Sequence, residues 1–137
     1  MKKWIIIIST ILLIIAAILY YVFIYAAQYK RNVNDEKAIV VSAVELVYAY
    51  NNNESDANAK YLNKALLIEG LIKEVGQNQE GKTTITIDGA NDFSAVFCTL
   101  KEVNTTVEVN KKVSLKGVCI GFTSDVVITD AYIQSKN

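Results

Sequence analysis

Histidine and proline are absent from this 137-residue chain, and arginine occurs once, at Arg31. Without histidine the usual proton carrier near neutral pH is missing, and a single arginine leaves almost no planar fork for gripping phosphate. Cysteine is scarce too, with only Cys98 and Cys119. Two cysteines without histidine or a third thiol do not make a zinc site, so no metal is expected. The sequence also has no glycine-flanked serine, and its acids are spread singly along the chain. A nucleophile with its base, or a carboxylate pair in a cleft, cannot be assembled from that set, so we expect no catalytic residues, no cofactor and no enzyme.

What the chain does have is one long apolar run. From Trp4 to Ala27 there are 24 residues without a charge, and at about 1.5 Å per residue they exceed a hydrocarbon core of about 30 Å. A cleaved signal peptide would have a shorter apolar core and a small-x-small site, whereas Ala26 and Ala27 follow Ile24 and Tyr25. The reading is therefore an uncleaved anchor over residues 1–29, a single membrane span. Trp4 at one end and Tyr20, Tyr21, Tyr25 and Tyr29 toward the other suit the two interfaces. Lys2 and Lys3 are balanced by Lys30 and Arg31. We place the short N-terminus inside, so that the C-terminal domain is extracytoplasmic.

Residues 30–41 read as a juxtamembrane tether, 42–133 as one domain and 134–137 as a tail. Beyond Arg31, ten lysines face fourteen acids, a mildly acidic balance. Ser42 with Glu45 forms a capping box, and Val44, Val47 and Tyr48 at helical spacing predict a helix over about 43–50. Asn51 to Asn53 stop it, and Asn53 caps a second helix running to about Tyr61. Asn53, Glu54, Ser55 and Asp56 also suggest a calcium loop, but the central glycine and closing glutamate are missing.

A strand follows over Tyr61–Val75, with Leu66, Ile68, Gly70 and Ile72 on one face and Leu67, Glu69, Leu71 and Lys73 on the other. A glycine inside a strand marks a bulge or bend, so Gly70 is the place where one strand could turn a barrel corner. Further strands are expected at Lys82–Asp88, Ser94–Leu100, Lys111–Gly121 and Asp125–Ile133, with Lys101–Asn110 as a helical turn or irregular crossing. Five strands with an insertion between the third and fourth give a mainly β fold: a five-stranded OB-fold barrel preceded by short helices and the N-terminal transmembrane helix.

Asn58 to Tyr61, Lys64, the alternating Leu66, Ile68 and Gly70, then Val96 and Cys98, then Lys116, Gly117, Cys119 and Gly121, then Asp125, Val126 and Ile128 resemble the bacterial tRNA-anti-like family of OB-fold domains. The resemblance spans about residues 42–133. It implies a small membrane-anchored or lipoprotein member whose function is largely unassigned. The family commonly carries a cysteine where this chain has Ala131.

Four residues form the candidate ligand face: Thr84, Thr86 and Phe97 on the outer face of the second and third strands, and Phe122 at the rim. Phe97 could instead pack under the helices. Cys98 and Cys119 form a disulfide or remain small core residues. Only Lys111, Lys112 and Lys116 cluster as cations, and an acidic domain without arginine disfavours nucleic acid. Asp125, opening the last strand, reads as a turn cap or backbone acceptor. The expectation is thus a membrane-tethered binding module of the cell envelope, with a protein or glycan partner; the alternative is a nucleic-acid-binding OB domain facing the cytoplasm.

Overall fold

The computed structural model describes residues 1–28 and 31–134 and divides into two compact units, Met1–Asn32 and Val33–Asn137. In the first, α1 runs from Lys2 to Gln28, and its stretch Lys2–Tyr25 is long and apolar enough to cross a membrane. Thr10 Oγ1 donates to the Ile6 carbonyl at 2.8 Å, hiding its polarity in the helix, and the rings of Tyr21 and Tyr25 stack one turn apart. The expected interfacial Tyr29, the basic Lys30 and the tail from residue 135 lie outside the described residues.

The second unit begins earlier than the sequence suggested. Val33 opens a short 3-10 turn, is fully buried against Ala65 and Val118, and is followed by a strand, β1, at Ile39–Ser42. Residues 33–41 are therefore part of the folded domain and not a tether. Four residues are too few to show an alternating pattern, and Ile39, Val40 and Val41 run directly into a helix cap, so no turn marks the strand.

The two helices form as their caps dictate. Ser42 accepts from the Glu45 N–H at 3.1 Å to start α2, Ala43–Asn52. Asn53 accepts from the Asp56 N–H at 3.3 Å to start α3, Glu54–Tyr61. Asn53 Nδ2 also donates to Asp56 Oδ2 at 2.7 Å, so the calcium-loop residues are engaged in capping.

Five strands close the barrel: β2 (Ala65–Gln77), β3 (Lys82–Ile87), β4 (Val96–Val103), β5 (Lys112–Phe122) and β6 (Val126–Ile133). The order β2-β3-β4-β6-β5 returns to β2, with β4 and β6 parallel and β1 added parallel to β2. This is the OB arrangement. β2 starts at Ala65 because Tyr61 ends α3. Its first half, to Leu71, pairs with β5, and from Ile72 it pairs with β3. Gly70 sits at that change of partner, and the bulge itself falls between Ile72 and Glu74. A Cβ on Gly70 would collide with the Ile87 side chain and lie 3.0 Å from Ala43 Cβ, so the corner requires glycine.

Leu66, Ile68, Ile72, Ile85, Ile87, Val96, Cys98, Leu100, Leu115, Cys119 and Ile128 fill the interior. Each large aliphatic side chain so buried stabilises the fold by about 1.5–3 kcal/mol. The segment after β4 is an irregular crossing whose Val107 packs against this core. The helical cover comes instead from α2, whose Ala43, Leu46, Val47 and Tyr50 are buried on β1, β2, β4 and β6.

Candidate functional site

The outer surface of the barrel is divided by the chain itself. Over β2, β5 and β6 lies the Val33 turn, fixed by Lys116 Nζ donating to the Asn34 carbonyl at 2.7 Å and by Gln134 Nε2 donating to Asn34 Oδ1 at 3.1 Å. Over β2, β3 and β4 there is an open groove of about 390 Å³, lined by Lys73, Glu74, Thr86, Phe97, Asp125 and the loop 91–95. Its floor is one row of the sheet, Glu74 beside Thr86 and Thr86 beside Phe97.

The loop standing over this row is locally braced. Asp88 Oδ1 accepts from the Ala90 N–H at 3.0 Å, and Asn91 Oδ1 accepts from the Phe93 N–H at 2.9 Å, two successive Asx turns. Ala90 is held at φ +52°, a left-handed conformation costing an L residue about 1–2 kcal/mol. Gly89 must be glycine, since a Cβ there would meet Val47 at 2.7 Å and the Ser94 carbonyl at 2.8 Å. Asp125 then ties the loop's end to β6: its Oδ1 accepts from the Ala95 N–H at 2.8 Å, the backbone-acceptor role expected from its position. The result is that Phe93 stands 88% exposed, lining the same groove as the half-buried Phe97. An unpaired aromatic on a braced loop offers a flat face for stacking without the entropy cost of ordering it on binding.

The structure brings together Thr86 and Phe97 but not the other two expected face residues. Thr84 is buried at 8% exposure, beside Thr99 and away from the groove lining. Phe122, the last residue of β5, has its ring stacked on Tyr50 with centroids 5.4 Å apart. It belongs to the packing under α2 and is no rim residue. The sequence reading passed over Phe93; its signal was an aromatic set in the Gly-, Asn- and Asp-rich stretch Gly89–Ser94.

Cys98 and Cys119 are free thiols. Both are registered on Ile128 of β6, Cys98 from β4 and Cys119 from β5. Two strand spacings, about 9.5 Å, separate them, beyond the roughly 7 Å limit for a disulfide. The disulfide alternative therefore falls, and burial pushes the Cys98 thiol well above its ordinary value.

The family model described as tRNA_anti-like matches residues 1–132. No curated protein matches the chain. Among solved structures, a candidate nucleic acid-binding lipoprotein from Klebsiella pneumoniae superposes with a TM-score of 0.57 at 11% identity, covering 72% of this chain and 92% of its own. Telomere capping protein Ten1 from Saccharomyces pombe gives 0.41 at 13% identity, covering 71% and 81%. The expectation that nucleic acid is unlikely is overturned by the fold neighbour described as a candidate nucleic acid-binding lipoprotein. Its physical weakness was to let the scarcity of phosphate contacts outweigh stacking, whereas OB folds can bind through bases stacked on aromatic rings.

Proposed function

Because the chain belongs to the tRNA_anti-like family, an OB-fold family, we propose that it is a membrane-tethered binding module that takes single-stranded nucleic acid in the groove over β2, β3 and β4. The observation that carries this reading is the Phe93 ring, 88% exposed on a braced loop in the groove that Phe97 also lines. Base stacking on such rings contributes about 1–3 kcal/mol per base and tolerates any sequence. Support comes also from the fold neighbour described as a candidate nucleic acid-binding lipoprotein. Lys73 is the one lysine lining the groove. Stacking would then outweigh phosphate contact, and binding would weaken with salt far less than in a cation-lined site. The anchor is α1, with the domain on the extracytoplasmic side.

The test is a fluorescence anisotropy titration of the full chain in detergent micelles with a labelled mixed-sequence single strand. We expect saturable binding that Phe93→Ala weakens by about 1–3 kcal/mol, one stacking contact. Absence of binding at about 0.1 mM, where nonspecific nucleic-acid proteins are still detected, would overturn the proposal.

A further inference from the structure

The groove is acidic in a way that stacking alone does not explain. Glu74, Asp92 and Asp125 line it against the single cation of Lys73. Asp125 is the best positioned of the three. One of its oxygens is fixed by the Ala95 N–H at 2.8 Å, and no other side-chain hydrogen bond reaches the carboxylate among the described residues. Its second oxygen remains an acceptor on a half-buried, oriented group beside Phe97. Asp92, two residues into the Asx-braced loop and next to Phe93, is exposed. Carboxylates repel phosphate, so a strand in this groove places its backbone outward and its base edges inward. A base edge facing carboxylates is favoured when it offers an amino group and disfavoured when a carbonyl oxygen takes that place. Cytosine presents an N4 amino donor and adenine an N6 amino donor, whereas thymine presents the O4 acceptor at the same position and has only its N3–H to donate, between two carbonyl oxygens.

Resting on the reading of this groove as the ligand face, we propose that it selects amino-bearing bases, cytosine and adenine over thymine, with Asp125 as the principal acceptor and Asp92 as the second. Phe93 and Phe97 hold the ring, and the carboxylates read its edge. Hydrogen bonds to charged groups are stronger than neutral ones, and loss of one such contact on thymine corresponds to about a tenfold weaker Kd.

The experiment compares oligo(dC) and oligo(dT) of about 12 nucleotides, within the site size of one OB fold, on the full chain in detergent micelles at one salt concentration. We expect oligo(dC) to bind about tenfold more tightly. Asp125→Asn keeps an oxygen for the Ala95 N–H while removing the charge, and should bring the two affinities together. Asp92→Asn, at an exposed loop position, should narrow the gap without touching the loop's anchor, and serves if the first variant does not fold. Equal affinities, or tighter oligo(dT) binding, with both weakened in Phe93→Ala, would overturn the base preference and leave the ligand face standing. Failure of either oligonucleotide to bind would overturn the ligand face and the preference together.

Discussion

The hydroxyl of Tyr50 on α2 lies 3.3 Å from the thiol of Cys119 on β5, both buried, so the helical cover and the barrel share a polar contact inside an apolar core. Around it, the Tyr50 ring stacks on Phe122 and tilts against Tyr61 at 6.4 Å. Burial first, and the Cys119 contact second, raise the Tyr50 hydroxyl above its ordinary 10.0. A hydroxyl that is harder to ionise folded than unfolded contributes stability that is complete below pH 10.0 and declines as pH rises beyond it. Burial of Cys98 acts with the same sign above its ordinary 9.0. The midpoint of thermal unfolding should therefore fall on the alkaline side. Tyr50→Phe should cost about 1 kcal/mol at neutral pH through the lost hydrogen bond and should flatten the part of the decline above pH 10.0. Thermal scans of both proteins from neutral to alkaline pH check this; parallel curves would dissociate Tyr50 from the effect.

Gly70→Val should destabilise the domain by about 1–3 kcal/mol, the scale of overpacking in a closed core. The new side chain enters space held by Ile87 and Ala43, at the point where β2 exchanges β5 for β3. Gly117→Ala is a parallel case, its Cβ falling 2.5 Å from Ile128 Cγ2 and 3.0 Å from the Thr129 carbonyl. Chemical denaturation midpoints measure both, and an unchanged midpoint for Gly70→Val would remove the corner from the account of barrel closure.

These glycines show how much of the fold could be read from residues. Leu66, Ile68 and Ile72 alternate with Leu67, Glu69 and Leu71, and only the first set is fully buried. A period of two with one closed interior gives the face of each residue directly. β1 was not legible because its pairing with β2 is parallel and long-range, and four residues carry too little pattern to announce it. Phe122 was misplaced for a related reason: the sequence puts it at a strand end, but only the folded α2 supplies the Tyr50 ring that draws it inward. Phe93 was missed because a loop aromatic has no period, and its exposure depends on the hydrogen bonds of Asp88, Asn91 and Asp125, two of them local and one from thirty residues away.

The anchor is tested independently of the barrel. With Lys2–Tyr25 apolar throughout its central stretch, the chain should remain in the pellet after alkaline carbonate extraction. Appearance in the supernatant of a product starting near Gln28 would show cleavage. Protease added to intact cells should digest the Val33–Asn137 unit if it is extracytoplasmic, and full protection would reverse the orientation.

The two phenylalanines give the sharpest separation of packing from binding. Phe122 is half-buried and stacked on Tyr50, so Phe122→Ala should lose about 2 kcal/mol of stability, less than for a fully buried ring, with oligonucleotide affinity unchanged under native conditions. Phe93 is 88% exposed, and its backbone N–H, not its ring, makes the contact with Asn91. Phe93→Ala should therefore leave the unfolding midpoint within about 0.5 kcal/mol of the parent, as surface changes do, while removing one stacking contact of about 1–3 kcal/mol. Paired denaturation and anisotropy curves on the two variants resolve the four outcomes. If Phe122→Ala lost binding and Phe93→Ala kept it, the ligand face would move to the β5–β6 connection, where the sequence alone had put its rim.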